Sequence, residues 1–328
     1  MKRIVVIGGG TGTYTILKGL KKYPVHLSAI ISMTDSGGSN RVLRDEFGLL
    51  PTSDIRQCIT ALASDNGNGL IRELFTYRYS QGVGISGMTF GNLFMAALTD
   101  ICGSQEAAIE KTCQLLDVKG DIIPVTLDNT HLVARYESGE QILGEHHIDQ
   151  PDERLGNLKI VGLETYPPAS ANTKAARAIR NADLIVLGPG DLFTSIICNL
   201  VVGNVAAHIK KSKAKKAFVV NLMTKFGQTN NFTATDHVKE IEKYLGKNSL
   251  DIALVNKTSQ YQKKLLQLYS QENAQPVVDD LKSNHPKIVR KNFVAARVYK
   301  NSKGDTIKRS LIRHDSEKLA KAIIDLLP

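Results

Sequence analysis

The sequence predicts an α/β protein with a Rossmann-like parallel β-sheet, flanking helices and a β-rich insertion. Three observations support this fold class. Short apolar, β-branched runs alternate with helical patterns through most of the 328 residues, as in a parallel sheet with crossover helices. Glycine-rich turns follow three of these runs and open the next segment. Residues 119–170 break the rhythm with several short strands in succession. We expect a single domain over residues 1–328 that contains this insertion.

The strands predicted for the central sheet are apolar with little alternation, which is typical of strands covered on both faces. They span residues 3–7, 27–33, 184–187, 217–221 and 252–255. Helices are predicted at residues 11–22, 54–63, 91–101, 105–116, 173–181, 235–245, 260–271 and 316–327. Thr52 and Ser53 precede the second of these helices and Asp54 lies in its first turn, so we expect a hydroxyl cap there.

The insertion contains four predicted strands, at residues 122–126, 131–136, 141–145 and 159–163. The polar turn at residues 137–140 joins two of them as a hairpin. A second hairpin is predicted near the C-terminus, where residues 293–300 and 306–312 flank a polar turn at 301–305. Both segments are therefore expected to pair in antiparallel fashion.

The composition excludes several classes of protein. With 42% hydrophobic and 23% charged residues, the chain is not disordered, collagen-like or a disulfide scaffold. Its four cysteines (Cys58, Cys102, Cys113 and Cys198) form no C-x-x-C pair, so we expect no zinc site and a reducing compartment. The apolar run near the N-terminus is too short for a signal peptide, and no segment fits a membrane span. We expect a cytoplasmic protein.

The net charge of +10 is concentrated in residues 205–328, which carry 24 basic and 11 acidic side chains. The densest patch is Lys210, Lys211, Lys213, Lys215 and Lys216. Nucleic acids and anionic membranes bind such patches. Aromatic residues are sparse around it, however, and no nucleic-acid-binding motif accompanies it. We therefore predict a solvated helix end beside a strand and no nucleic-acid partner.

The first glycine-rich turn follows the first strand directly and precedes a helix. It consists of Gly8, Gly9, Gly10, Thr11 and Gly12. Glycines let the backbone approach a ligand closely, and the amides at a helix start favour a phosphate. The spacing matches neither G-x-G-x-x-G nor a P-loop. The turn is thus predicted to cradle a phosphate or nucleotide, with a merely tight strand-to-helix turn as the alternative.

The second glycine-rich turn follows the second strand and consists of Asp35, Ser36, Gly37, Gly38 and Ser39. An acid at this position holds a ribose hydroxyl in dinucleotide-binding folds. It is equally suited to Mg²⁺, which binds few carboxylates together with water and phosphate oxygens. A turn aspartate that bonds its own backbone is the structural alternative. The glycines predict a further diphosphate or acyl-phosphate subsite.

Four charged residues cluster within 16 positions of this turn, namely Arg41, Arg44, Asp54 and Arg56. Arginine suits a phosphate clamp because its guanidinium is planar and always charged. The acidic residues 45 and 46 provide the alternative, in which these arginines form ion pairs on a solvated face. We carry Arg44, Asp54 and Arg56 forward as candidate ligand contacts.

The third glycine-rich turn consists of Gly188, Pro189, Gly190 and Asp191, followed by Ser195 in the next helix. Since the carboxyl ends of parallel strands meet at one edge of a sheet, the three turns are expected to converge there. Asn221 and Lys225 follow another strand, and Asn92 opens a helix, so these three are also predicted to contribute. Seven of the eight histidines are expected in the insertion or at the periphery, and His26 is expected to lead into the second strand, which argues against a hydrolytic triad.

Together these motifs resemble the YvcK/CofD-like family. The motifs are G-G-G-T-G at residues 8–12, T-D-S-G-G-S at 34–39, L-R-D-E-F-G-L-L-P-T-S-D-I-R at 43–56, F-G-N-L-F at 90–94, G-P-G-D-L-F-T-S-I at 188–196 and N-L-M-T at 221–224. The resemblance implies a CofD-like fold with a nucleotide or nucleotide sugar above the sheet edge. It places binding roles on residues 8–12, 35–39, 92, 188–191 and the loop at 221. Asp35 would contact the metal or the acceptor in the transferase branch.

The chain departs from the family pattern at four positions. Ser36 stands where many relatives have a second Asp, and Met88 occupies a position where a His is common in the family. Cys198 replaces a usual Pro, and Gln228 replaces a usual Glu. The loss of one carboxylate and one histidine weakens a transferase function more than a binding function.

Three hypotheses follow. The first is a gluconeogenesis factor that binds a nucleotide sugar of the UDP-N-acetylglucosamine type and affects cell shape, cell-wall assembly and carbon metabolism through protein partners. The second is an Mg²⁺-dependent enzyme of the 2-phospho-L-lactate transferase type, which moves a phospholactyl group from a nucleoside diphosphate to a deazaflavin. The third, an NAD-dependent oxidoreductase, lacks the glycine spacing of the dinucleotide fingerprint. We also expect a homodimer.

Overall fold

The computed structural model describes residues 1–64, 69–257, 261–282, 285–296 and 310–327. The described residues form ten strands, which lie in two sheets. They are β1 (Arg3–Gly8), β2 (His26–Ile31), β3 (Asp121–Pro124), β4 (His131–Tyr136), β5 (Gln141–Leu143), β6 (Ile160–Tyr166), β7 (Leu184–Leu187), β8 (Lys215–Val219), β9 (Ile252–Asn256) and β10 (Lys287–Lys291).

The helices cover both the connections of the large sheet and the insertion. They are α1 (Gly10–Leu20), α2 (Gly38–Phe47), α3 (Ser53–Leu62), α4 (Gly69–Thr76), α5 (Phe90–Cys102), α6 (Gln105–Leu115), α7 (Glu145–Asp149), α8 (Glu153–Gly156), α9 (Thr173–Arg180), α10 (Cys198–Leu200), α11 (Val205–Lys211), α12 (Ala234–Leu245), α13 (Lys263–Gln271) and α14 (Ser316–Ile324). A π-helical segment, Leu192–Ile197, runs directly into α10.

The large sheet is parallel throughout and has the order β3-β2-β1-β7-β8-β9-β10. Strand β7 is the middle strand of the seven and β1 lies next to it, where Ile4, Val5, Val6 and Ile7 are each at most 1% exposed. The strand order reverses between β1 and β7, and open parallel sheets bind their ligands in the crevice at such a reversal. The predicted fold class, a parallel sheet with flanking helices and an antiparallel insertion, is confirmed.

Close backbone contacts fix the helices around this reversal. A Cβ at Gly12 would lie 2.1 Å from the carbonyl oxygen of Pro189, so only glycine allows α1 to approach the loop after β7. A Cβ at Gly19 would lie 2.1 Å from the carbonyl oxygen of Ser316. Helix α14 therefore rests directly against α1.

The insertion differs from the sequence-based prediction in one respect. Its predicted first strand, at residues 122–126, is β3 and pairs in parallel with β2 at the edge of the large sheet. The other three form the small antiparallel sheet, in the order β5-β4-β6. A strand carries no local mark of its partner, so the sequence could not assign β3 to the correct sheet.

The remaining elements agree with the predictions to within a few residues, apart from some omissions. Strand β10 and helices α2, α4, α7 and α8 were not predicted, and α11 was predicted only as a helix end at the basic run. The basic run does lie at a helix end beside a strand, since α11 ends at Lys211 and β8 begins at Lys215. Much of the predicted C-terminal hairpin lies outside the described residues, as does residue 260 at the start of the predicted helix 260–271.

Within the described residues, no single helix is long and apolar enough to cross a membrane. Helices Leu192–Leu200 and Val205–Lys211 reach that length and composition only when they are joined, and they are bent by 75° relative to each other.

Candidate functional site

A cleft of about 1700 Å³ lies at the carboxyl edge of the large sheet, above the reversal of strand order. The loops after β1, β2, β7 and β8 form its floor, while α3, α7 and the segment 310–314 contribute walls. Most of the predicted ligand-binding residues line it. They are Gly9, Gly10, Thr11, Gly12, Asp35, Gly37, Gly38, Ser39, Asp54, Arg56, Pro189, Gly190, Asp191, Ser195, Asn221 and Lys225.

The other predicted residues, Gly8, Ser36, Arg44, Asn92 and Gly188, are not part of the lining. Arg44 donates from Nη2 to the carbonyl oxygens of Met33 (3.1 Å) and Thr130 (2.8 Å). Its Nη1 also lies 3.0 Å from His131 Nδ1. The guanidinium therefore ties α2 to the strand ends beneath it, and its donors are directed at the protein itself.

Asn92 supports the lining from below. It is completely buried, and its Nδ2 donates to the hydroxyls of Ser39 (2.9 Å) and Ser53 (3.3 Å). Its Oδ1 accepts from Arg56 Nε at 3.2 Å. One amide thus connects the start of α5 with α2 and α3, and it sets the direction of an arginine that does line the cleft.

The start of α3 is built differently from the predicted hydroxyl cap. Asn40 Oδ1 accepts from the backbone N–H groups of Thr52 (3.2 Å) and Ser53 (3.3 Å) and from the Ser53 hydroxyl (3.0 Å). The Thr52 hydroxyl makes no capping hydrogen bond. A side chain from α2 therefore anchors this helix start, which is a long-range contact that the local pattern does not contain.

The first glycine-rich turn presents the amino end of α1 to the cleft. Helix α1 begins at Gly10, whose φ of +61° favours glycine, and no acidic residue lies in its first turn. Backbone amides at such a helix start attract anions. Asp54 faces the same turn, because a Cβ at Gly9 would lie 2.5 Å from its Oδ2. The amides and a carboxylate thus converge on one point of the cleft.

Asp35 is half-buried at the end of the second strand. Its Oδ1 accepts from the Gly37 amide (2.9 Å) and its Oδ2 from Asn40 Nδ2 (2.6 Å). Burial raises the pKa of this carboxyl and the charge on Asp149 adds to the effect, while the two hydrogen bonds and Arg44 oppose it. The residue therefore both closes its own turn, as in the structural alternative, and faces the cleft.

Helix α7 of the insertion supplies residues that the sequence did not identify as part of the site. Glu145, His146 and Asp149 line the cleft, and the His146 amide donates to Ser36 Oγ at 3.1 Å. Burial raises the pKa of Glu145 well above its usual value, and the charges of Asp35 and Asp149 raise it further. The polar run that follows Gly144, whose φ is +102°, is the only local signal for this helix.

Lys225 bridges the insertion and the third glycine-rich turn. Its Nζ donates to Asp149 Oδ1 and, at 2.6 Å, to Asp191 Oδ2. Burial alone would lower the pKa of this lysine, but the two carboxylates outweigh burial and raise it. Lys225 is therefore a permanent cation at the cleft wall.

Another part of the cleft lining is apolar. Leu222, Met223, Tyr269 and Ile312 form a small buried cluster there, separate from the main core. Burial lowers the pKa of the nearby His314 to about 4, although a backbone hydrogen bond with Val220 raises it. The cleft thus combines a part with helix amides and charged side chains, called the polar end below, with an apolar cluster.

No group of three His, Cys, Asp or Glu side chains within the described residues is arranged to hold a metal ion. Carboxylates nevertheless surround the polar end. Asp35, Asp54, Glu145, Asp149 and Asp191 all line the cleft. A ligand phosphate that enters this end meets negative charge as well as helix amides.

Comparison with known proteins identifies relatives along nearly the whole chain. The family model described as 2-phospho-L-lactate transferase CofD matches residues 4–294. A putative gluconeogenesis factor from Thermotoga maritima is 42% identical over 322 residues, which are 98% of each chain. The gluconeogenesis factor of Bacillus subtilis is 34% identical over an alignment of 329 positions, which covers 99% of this chain and 98% of that protein.

The fold has a counterpart among solved structures. A crystal structure of protein BH3568 from Bacillus halodurans superposes with a TM-score of 0.89 at 33% identity, over 98% of this chain and 99% of that one. The family match extends over the glycine-rich turns, and the relatives and the shared fold cover nearly the whole chain. The chain therefore belongs to the CofD family, and its curated relatives are named gluconeogenesis factors.

Proposed function

We propose that the protein binds a nucleotide sugar of the UDP-N-acetylglucosamine type in this cleft and acts as a sensor of it. The observation that carries the proposal is the convergence of three glycine-rich turns beside the amino end of α1. Backbone amides at a helix start are suited to a diphosphate. The names of the relatives agree with a role in carbon metabolism.

Two parts of the cleft support the same ligand class. The amides of α1 offer positive potential to a diphosphate, and Lys225 adds an ammonium that two carboxylates share, while the cluster around Tyr269 offers an apolar surface to a base or sugar. Ligand sites commonly combine an apolar surface with a few polar groups that fix the orientation. The cleft volume of about 1700 Å³ leaves room for both parts of such a ligand.

We further propose that Mg²⁺ accompanies the diphosphate. The ion binds few carboxylates when phosphate oxygens and water complete its shell. Asp35 is suited to hold it, because it lines the cleft and its carboxylate has lone pairs beyond the two that accept hydrogen bonds. Bound there, the ion would neutralise phosphate charge next to the surrounding carboxylates.

The wider role follows from the same proposal. A cytoplasmic protein that senses a precursor of the cell wall would act on cell shape and cell-wall synthesis through protein partners. It would work as a homodimer, and its partners would distinguish its liganded and free forms.

Transferase activity of the 2-phospho-L-lactate type is the second candidate function. It is favoured by the pair of carboxyls at Asp35 and Glu145, whose pKa values burial raises. A carboxyl with a raised pKa can accept a proton from an acceptor hydroxyl near neutral pH. The family model is itself named for this activity.

Calorimetric titration distinguishes the two candidates. The purified protein is titrated with UDP-N-acetylglucosamine, GDP, GTP and NAD, each with and without Mg²⁺, and thermal unfolding is followed in parallel because a ligand of the native state raises Tm. Binding of the uridine nucleotide sugar alone supports the sensor. Mg²⁺-dependent binding of GDP or GTP supports the transferase, and absence of binding by all four contradicts both.

A further inference from the structure

One oxygen of Asp149 collects three hydrogen-bond donors in the corner where the insertion meets the loop after β8. Lys225 Nζ, Gln228 Nε2 (3.1 Å) and Thr194 Oγ1 (3.2 Å) all donate to Oδ1. The same Nζ donates to Asp191 Oδ2 at 2.6 Å. One ammonium is thus shared between two carboxylates at the cleft wall, and a neutral amide stands next to them.

The orientation of Gln228 is set by its surroundings. The residue is only 4% exposed, and its Oε1 accepts from the Phe193 amide at 3.3 Å. Its Nε2 donates to Thr194 Oγ1 (3.1 Å) as well as to Asp149. A flipped amide would place its NH₂ group against the Phe193 N–H, and its oxygen against a carboxylate. Gln228 can therefore act here only as a donor to Asp149.

We propose that Gln228 and Asp149 are positioning residues that together hold the Lys225 ammonium at the phosphate end of the cleft and fix the charge around it. The inference rests on the proposed function, because Lys225 contacts the ligand whereas the other two act through it. Lys225 lines the cleft, while Gln228 does not. Because Asp149 and Asp191 already share this ammonium, a third negative charge in the corner, at position 228, would draw the ammonium away and repel a diphosphate.

Other ionisable groups also line this cleft. They come from α7 and from the neighbouring loops, and comprise Glu145, His146, Asp191, Asp35 and Asp54. Each variant is therefore compared with the wild type at the same pH, so that the ratio of affinities isolates position 228. The diphosphate of a nucleotide sugar remains doubly charged between pH 5.5 and 8.5, so the probe adds no titration of its own.

The test measures the affinity for UDP-N-acetylglucosamine from pH 5.5 to 8.5 in the wild type, Gln228→Glu and Gln228→Leu. In Gln228→Glu, burial next to Asp149 will raise the pKa of the new carboxyl. Its protonated form donates like the amide, so affinity should match the wild type at pH 5.5. It should then weaken by about tenfold towards pH 8.5, as the charge appears. Gln228→Leu should weaken binding by the same factor at every pH.

A double variant provides the rescue. The double variant, Asp149→Asn with Gln228→Glu, exchanges the amide and the carboxylate on the two sides of the 3.1 Å hydrogen bond. The total charge of the corner is then the same as in the wild type. We expect affinity close to the wild type at every pH. The matched control is Gln141→Glu, which adds a carboxylate to an exposed position of the insertion and should leave affinity unchanged.

The inference would be overturned if the ratio of the Gln228→Glu affinity to the wild-type affinity did not change with pH. Failure of the double variant to restore the affinity would overturn it as well. If the wild type binds no nucleotide sugar, the proposed function fails, and the positioning role is then decided by unfolding of the free protein. The Tm gap between Gln228→Glu and the wild type should widen as the pH rises and close in the double variant. A constant gap contradicts the inference.

Discussion

Gly12 and Pro189 are in direct backbone contact across the two central strands, since a Cβ at position 12 would lie 2.1 Å from the Pro189 carbonyl oxygen. This contact sets the width of the crevice between α1 and the third glycine-rich turn. The two loops that it joins supply much of the proposed phosphate end.

The first prediction concerns this contact. Gly12→Ala forces the Pro189 backbone to shift, and overpacking of this kind costs about 1–3 kcal/mol. We expect a lower free energy of unfolding in urea and loss of nucleotide-sugar binding. The control is Gly139→Ala in the hairpin turn of the insertion, where nothing lies within 4 Å but φ is +88°. It should lose stability through backbone strain alone, and equal binding by both variants would contradict the prediction.

The second prediction concerns the buried amide of Asn92. Asn92→Ala removes the acceptor of Arg56 Nε and the donor to Ser39, which leaves buried polar groups without these partners. Loss of one partner in the interior costs about 1–3 kcal/mol. Chemical denaturation measures this change, and titration should show weaker binding because Arg56 lines the cleft. The exposed Asn157→Ala should change neither quantity by a comparable amount.

The third prediction is a pH dependence of stability at His314. Burial depresses the pKa of this histidine to about 4, below its usual 6.5. The unfolded chain therefore binds the proton more readily than the native state in this window. The contribution of His314 to the free energy of unfolding is therefore fully present above pH 6.5. It is lost as the pH falls from about 6.5 towards 4, by up to about 1.4 kcal/mol per pH unit.

The variant His314→Gln removes this contribution. The difference in unfolding free energy between wild type and variant should therefore be constant above pH 6.5 and should change steadily below it. The exposed His147→Gln serves as the control, because it removes a histidine at a solvated position. A constant difference between wild type and His314→Gln down to pH 4.5 would contradict the assignment.

The fourth prediction concerns Glu145. Burial and the charges of Asp35 and Asp149 raise the pKa of its carboxyl, so the native state holds this proton more tightly than the unfolded chain. Deprotonation of this carboxyl therefore lowers the free energy of unfolding as the pH rises above the usual pKa of a glutamate. Glu145→Gln should unfold at a higher Tm than the wild type at pH 8, and the gain should shrink towards pH 4.5.

The same substitution should strengthen the binding of a diphosphate ligand when Mg²⁺ is absent, because it removes a negative charge from the wall of the cleft. Glu153→Gln on α8 is the matched control, since its side chain is exposed. A Tm gain that persists unchanged at pH 4.5 would show that packing, and not charge, causes it.

The sequence predicted those parts of the site that are built from local patterns. The glycine-rich turns after β1, β2 and β7 could be located because each combines a buried strand, glycines and a helix start. Their convergence then followed from the general geometry of parallel sheets. Asp35 and Asp191 were identified for the same reason.

The contributions of the insertion could not be predicted in this way. Glu145 and Asp149 reach the cleft only because α7 docks against the Ser36 turn, and nothing in the local sequence specifies that contact. Arg44 is the opposite case, because the local sequence suggested a ligand contact and the residue does not line the cleft. Its position close to a glycine-rich turn suggested a phosphate clamp, but tertiary contacts with Met33 and Thr130 engage its guanidinium.

Two omitted elements have local causes. Strand β10 has the sequence Lys-Ile-Val-Arg-Lys, and its charged residues conceal a parallel edge strand. Helix α2 is strongly polar, although Gly48 with a φ of +63° marks its end in the left-handed conformation. A pattern of helix-ending glycines would have identified α2, whereas β10 depends on its pairing with β9.

The packing of α14 against α1 has a consequence for the order in which the protein folds. Helix α1 presents the amides of the cleft, while the rim at residues 310–314 immediately precedes α14. The contact at Gly19 thus joins two helices that lie about 300 residues apart in the sequence. During synthesis on the ribosome, the first strands can pair early, but the cleft acquires the wall at residues 310–314 only after that segment and α14 have emerged. Ligand recognition should therefore require this long-range contact to have formed.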